Sequence, residues 1–199
     1  MSLSRRPAVV ALASIVLAVV TLAGCSGPGG PASFDPAQAC AGAAEQRMAG
    51  AYPDLEATVP AALYGDASTA RESGRYCSPE TLGTLSDAGF SEVHFGAGTW
   101  DRGSGKAVSL VTMEAAGLTA EAVFGSYLAG AQKNSKVHDV KPTRPTLGGL
   151  PGFRMDYING DSSFERILVW PGDRAGRVRV ILAADLVDAD IQTAVDAFR

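Results

Sequence analysis

The sequence predicts an α+β domain: a mostly antiparallel sheet of five or more strands, helices packed on one face, and one disulfide. Three observations carry this. Alternating apolar and polar runs between Phe90 and Ala184 are punctuated by hairpin signals. The residues after Thr119 and after Asp188 repeat at helical spacing. Two cysteines, Cys40 and Cys77, lie in the region that forms the domain.

Asp35-Pro36 reads as an N-cap with proline at the first helical position. The helix it starts is expected to reach about Met48, stop at Gly50, and turn Cys40, Ala44 and Met48 to one side. Ser78-Pro79-Glu80 repeats the start signal, with Leu82 and Leu85 apolar and Gly89 as the stop. A Cys40–Cys77 bridge would then staple two helices. Alternation at Glu92 to Phe95, and again at Val108, Leu110 and Thr112, predicts a hairpin with a loose loop over Asp101-Arg102-Gly103-Ser104-Gly105. Thr119 caps a helix to about Gln132, with Ala120, Val123, Phe124, Tyr127, Leu128 and Ala131 on one side. Asn159-Gly160 suits a two-residue type I′ turn, which would set Arg154 opposite Glu165 and Met155 opposite Phe164. A strand from Val178 to Ala184 follows the Pro171-Gly172 turn. Asp188 caps a last helix whose Ile191, Val195 and Phe198 share a face.

The N-terminus has a different character. Arg5 and Arg6 precede an apolar run from Ala8 to Val20 broken by Ser14, the pattern of a secretory signal. The run falls short of the roughly 20 apolar residues that cross a bilayer. Leu22-Ala23-Gly24-Cys25 resembles the lipobox of bacterial lipoproteins. The resemblance implies that residues 1–24 are a leader cut before Cys25, that the Cys25 thiol carries a diacylglyceryl group, and that palmitate-type chains hold the protein on the extracytoplasmic face of a cell membrane. Two or three chains, at about 0.8 kcal/mol per buried methylene, anchor stably where one does not. The alternative is an ordinary signal with an incidental cysteine. Ser4-Arg5-Arg6 hints at a twin-arginine signal, but Pro7 and Ala8 stand where bulky apolar residues are expected, so general secretion is favoured.

Residues 25–33 form the lipidated cysteine and a Gly/Pro/Ser tether, and residues 34–199 suffice for one globular domain. In an oxidising compartment Cys40 and Cys77 pair as a disulfide.

The formal charge of −4 becomes two units more negative when the leader takes Arg5 and Arg6 with it. With no basic stripe evident, nucleic acid is excluded as a partner.

The motifs that suggest chemistry fail on inspection. Gly103-Ser104-Gly105-Lys106 resembles a phosphate loop, but Trp100 and Ala107 stand where a glycine and a hydroxyl are needed. Gly160-Asp161-Ser162-Ser163 is followed by Phe164 where a nucleophile elbow needs glycine. His94 and His138 have no metal-ligand spacing, and Glu92 is expected on the strand face opposite His94. No catalytic residue, metal or cofactor is assigned. Arg166 is the odd residue, sharing a core-like face with Phe164, Leu168 and Trp170. It must snorkel, find a carboxylate, or meet an anionic ligand. Arg166, Trp170, Tyr157 and Trp100 are the candidate ligand-binding residues. With Tyr76, Phe95 and Tyr127, these aromatics either line a cleft or form simple core.

From Phe90 onward the chain resembles the PsbP-like fold family, which includes LpqN-type lipoproteins of actinobacteria. The features are Gly149-Leu150-Pro151-Gly152 leading into a strand, a hairpin, and a final strand and helix ending in Asp196-Ala197-Phe198. The resemblance implies a binding or adaptor module without catalysis. Two functions are therefore expected: a tethered module that binds an envelope protein or a small amphiphile, or an envelope enzyme or enzyme accessory whose site is assembled from distant residues around a histidine and an acid.

Overall fold

The computed structural model describes residues 35–40, 46–160 and 162–199. The leader, Cys25, the tether and Ala44 lie outside them. In chain order the elements are β1 (Gln46–Met48), α1 (Pro53–Glu56), β2 (Ala62–Leu63), β3 (Asp66–Ala67), β4 (Ala70–Tyr76), α2 (Pro79–Leu82) and α3 (Thr84–Asp87). There follow β5 (Val93–Gly103), β6 (Lys106–Glu114), α4 (Ala120–Lys133), β7 (Val137–Thr143), β8 (Thr146–Leu147), β9 (Leu150–Pro151), β10 (Phe153–Asn159), β11 (Ser163–Pro171), β12 (Arg177–Ala184) and α5 (Asp188–Ala197). Eight strands form one antiparallel sheet in the order β1-β4-β5-β6-β12-β11-β10-β7, and β2–β3 and β8–β9 are small separate hairpins. The domain is α+β, as expected.

Helices cover both faces of the sheet, where the sequence suggested one. The reason lies in the central strands. Val178 and Val180 of β12 enter one apolar cluster with Val111, Met113 and Val169, roofed by Leu82, Leu85, Val123 and Phe124 of α2, α3 and α4. Ile181 and Ala183 of the same strand enter a second cluster with Trp100, Leu110, Leu168 and Trp170, closed by Ile191, Ala194 and Val195 of α5 and by Val59, Leu63 and Leu147. Strands that are apolar on both sides need cover on both sides.

Helix α1 lies on this second face at very close range. A Cβ at Gly96 would stand 2.5 Å from the Leu55 carbonyl carbon and 2.7 Å from the Glu56 nitrogen. The side chain of Arg71 donates to the carbonyl of Glu56, the last residue of α1, and to those of Val59 and Pro60 in the turn that follows it. Ser73 accepts from the Tyr52 amide, and the Thr58 and Thr112 hydroxyls bond at 2.6 Å.

The local predictions fare unevenly. Residues 46–48 are a strand paired to β4, and Cys40 has no helical conformation, so the expected helix from Asp35 to Met48 is corrected. The Cys40–Cys77 disulfide is present, with Cα atoms 5.7 Å apart, and joins this segment to the end of β4. The expected Ser78 helix starts with the full capping box, but Gly83 (φ 55, ψ −131) divides it into α2 and α3. The β5–β6 turn is tight, with Gly103 paired to Lys106 and both central residues at positive φ (Ser104 54, Gly105 80). The β10–β11 hairpin exists but in another register. Asn159 pairs with Ser163, Met155 with Ile167 and Arg154 with Leu168. Asn159 ends its strand, its amide donating to Glu165, and Arg154 comes to the face of Arg166. Asp188 is the first residue of α5, with Val187 as N-cap, because its carboxylate is turned to Arg154 at 3.1 Å.

Candidate functional site

The four candidate ligand residues do not converge. Trp100 and Trp170 are fully buried in the α5-side cluster, Trp100 donating its indole N–H to the Asp66 carbonyl and Trp170 meeting Phe198 edge-on at 5.8 Å. Arg166 resolves as an internal pairing. Its guanidinium donates to the Leu186 carbonyl, lies 4.5 Å from the Phe164 ring centroid, and stands 3.4 Å from Asp188 and 3.9 Å from Asp156. Arg154 completes the cluster through a two-pronged bond to Asp156 (2.7 and 2.9 Å), which holds its guanidinium charged above the ordinary range. Tyr157 points from the other face and donates to Glu165 at 3.1 Å. Burial pushes its phenol well above the usual range, and the Glu165 charge adds to the shift.

Sequence reasoning missed a polar row across five strands. Gln46, Arg75, His94, Glu114 and Arg177 are successive cross-strand partners and so share one face. Arg75, 2% exposed, donates to Gln46 Oε1 (2.7 Å), the Gln38 carbonyl (2.5 Å) and Glu92 Oε1 (3.0 Å). Glu92 also bonds His94 Nε2 at 2.8 Å, and Tyr52 stacks on that imidazole at 4.4 Å. The expectation that Glu92 and His94 face opposite ways is overturned, because residues two apart on an extended chain point the same way. Burial tends to raise the Glu92 carboxyl, but the hydrogen bonds from His94 and Arg75 outweigh it and hold it below the ordinary value. Glu114, bonded to Arg174 (2.5 Å) and Arg177 (2.7 Å), is lowered by the same balance. Glu92, His94, Glu114, Ala115 and Ala116 line an open groove of about 330 Å³.

Cys40, Cys77 and Glu92 bring three potential ligand atoms within 4.8 Å. The sulfurs are spent in the disulfide, however, and offer a metal no thiolate. His138 lies exposed on edge strand β7, its ring nitrogens 3.2 Å from Asp139 and 3.1 Å from the Gly160 carbonyl.

A second groove, of about 400 Å³, runs between α4 and the β7–β10 edge. Glu121, Phe124, Gly125 and Leu128 form its helical wall, and Pro142, Thr143, Arg144 and Phe153 the other. Phe124 and Phe153 stack at 5.0 Å, and the Arg144 guanidinium lies 4.8 Å from the Phe153 ring centroid. Arg144 stands 3.6 Å from Glu121. Residues 133–144 carry Lys133, Lys136, Lys141 and Arg144 against Asp139, but only Pro142, Thr143 and Arg144 of that segment line the groove.

Among the described residues no helix is long and apolar enough to cross a membrane. Compared with protein-family models, curated proteins and solved structures, the chain matches none.

Proposed function

We propose that this chain is a membrane-anchored lipoprotein of the cell envelope, diacylglycerylated at Cys25 and held on the extracytoplasmic face, whose domain is a non-enzymatic binding or adaptor module for a small amphiphile or an envelope protein. The lipobox-like Leu22-Ala23-Gly24-Cys25 supports the anchor, and a domain disulfide suits an oxidising compartment. The PsbP-like resemblance of the second half supports a module without catalysis. The observation that carries the binding reading is the α4–β10 groove, which joins apolar walls to a cation at its rim and falls in the size range of small-ligand sites.

Replacing Cys25 by Ser should move the protein from the membrane fraction to the soluble one; full retention in membranes would overturn the anchor. Native mass spectrometry of residues 26–199 exported from a bacterial host should show a retained small-molecule mass, whereas a clean apo mass shifts the reading to a protein partner, sought by cross-linking.

A second reading, an envelope enzyme, has the Glu92–His94 pair in the 330 Å³ groove in its favour. Against it, Glu92 is already committed to buried Arg75. A hydrolytic or transfer activity lost on His94→Ala in a folded protein would establish it.

A further inference from the structure

We infer that the outer end of the Arg179 side chain is an oxyanion site, taking the carboxylate or phosphate group of a small ligand. The site lies on the opposite face of the sheet from the α4–β10 groove, and the inference goes beyond the binding-module reading without resting on it.

Arg179 stands apart from the other arginines. Every other arginine among the described residues has a carboxylate or carbonyl partner. Among the described residues Arg179 alone has neither a hydrogen bond nor an ion pair, and its Nε is buried without a partner. The Nε of Arg166 is also buried and without a hydrogen bond, but that guanidinium is answered by the Leu186 carbonyl and Asp188. The acid whose charge acts on Arg179 is Asp173, and both its oxygens are bonded to Arg177, at 3.1 and 3.3 Å.

The position is set by the alternation of β12. Arg179 shares the α5 face with Ile181 and Ala183, which belong to the core cluster there. Its cross-strand neighbours, Thr112 of β6 and Trp170 of β11, are both 0% exposed. Beyond Thr112 stands Thr58, in the turn after α1, and the Arg179 guanidinium carbon lies 5.7 Å from the ring centroid of Phe198, at the end of α5. The arginine therefore rises in the seam between the two covers of this face. Burial is the main influence on its guanidinium and pulls it below the ordinary value; Asp173 opposes the shift and Arg177 adds to it.

A cation so placed has given up water and gained no bonded counter-charge. An oxyanion supplies one. With Nε buried and the residue part-exposed, the two terminal nitrogens are what a ligand can reach, and their parallel N–H bonds match the edge of a carboxylate or phosphate. The stem, flanked by two buried residues and the Phe198 ring, has little rotamer freedom left to lose on binding.

The test is nitrogen-15 NMR of residues 26–199, of which residues 33–199 form one compact unit, following the arginine Nε–H resonances on titration with sodium phosphate and with sodium acetate at constant ionic strength. The Arg179 resonance should move saturably with at least one of the two anions, and the anion that saturates names the group. Arg102, already facing Asp66, should show only the shallow drift of general screening. Arg179→Met, which keeps an apolar stem, should weaken binding at least about tenfold, read from the Phe198 amide, as loss of hydrogen bonds to a charged group requires. Arg179→Lys, which keeps the charge and loses the fork, should fall between the two. Shifts that never saturate with either anion, equal shifts at Arg179 and Arg102, or parent affinity in both variants would overturn the site and leave the α4–β10 groove and the binding-module reading where they stand.

Discussion

A single methyl group at Gly96 should unseat α1. The Cβ of Gly96→Ala would lie 2.5 Å from the Leu55 carbonyl carbon and 2.7 Å from its oxygen. These are backbone atoms, which cannot rotate away. If α1 stays, the sheet and helix must shift apart locally, an overpacking strain of about 1–3 kcal/mol. If α1 lifts together with the turn after it, the Tyr52–Ser73 and Thr58–Thr112 bonds and the Arg71 bonds to Glu56, Val59 and Pro60 are weakened together. At about 0.5–1.5 kcal/mol each, that route costs more than the first. The cheaper route decides, so Gly96→Ala should destabilise by about 1–3 kcal/mol. At roughly 2–4 °C per kcal/mol for a domain of this size, calorimetry should show a fall of about 2–12 °C. The same substitution at Gly125 should raise stability by about 1 kcal/mol, since it improves helix propensity where nothing lies within 4 Å. A Gly96→Ala melting temperature within 1 °C of the parent would refute the close-approach reasoning.

Other consequences are open to the same instruments. Replacing Cys40 and Cys77 by Ser opens a bridge of sequence separation 37, which on chain-entropy grounds should cost about 4 kcal/mol by urea titration; an unchanged midpoint would mean that the bridge constrains nothing. Glu92, Glu114 and Asp173 all have folded values held below normal, so the stability they contribute is complete above the ordinary carboxylate range and is lost as pH falls through the lowered values. Urea midpoints should therefore fall steeply on acidification, and less steeply in Glu114→Gln; parallel curves would exclude Glu114. Burial pushes the Tyr64 phenol up to about 12, so the stability tied to its neutral form is present below the ordinary value of 10 and lost as pH rises through 12. Tyr157 is also raised, so the parent minus Tyr64→Phe difference in tyrosinate absorbance should isolate one group ionising near 12; a difference titrating near 10 would refute the burial of Tyr64.

Legibility followed the range of the interactions. The α4 helix and its Thr119 cap were readable because cap and apolar stripe lie within four residues of each other. The Ser78 capping box was readable for the same reason, while the glycine that ends α2 early looked like any helix glycine. Strand β1 was not readable, since Gln46 to Met48 become a strand through partners 25 to 29 residues away on β4. The β10–β11 register was misplaced because Asn159-Gly160 favours a two-residue turn, whereas the pairing that puts Met155 against Ile167 in the core prevails over turn preference. Arg166 was correctly singled out as an oddity, but its acceptors, Asp156, Asp188 and the Leu186 carbonyl, come from β10, from α5 and from the link before it. The His94–Glu92 contact needed only the two-residue period of a strand.

The placement of the grooves follows from what each helical layer can reach. Eight strands at about 4.8 Å spacing make a sheet more than 30 Å wide, while a helix covers about 10 Å of width. On the α5 side the shortfall is filled by loops: Leu63 from the β2–β3 hairpin and Leu147 from the β8–β9 hairpin join the cluster, and Tyr64 spans to the Asp190 carbonyl. On the other side α4 carries most of the cover, helped by the four-residue helices α2 and α3, and among the described residues no hairpin closes the gap toward β7. The apolar side chains left along that gap, Phe153, Leu128 and part of Phe124, are the walls of the 400 Å³ groove. Substitutions of equal size should therefore act differently on the two faces: on the α5 side they meet a filled core and change stability, and along α4 they meet open space and change what can lie in it.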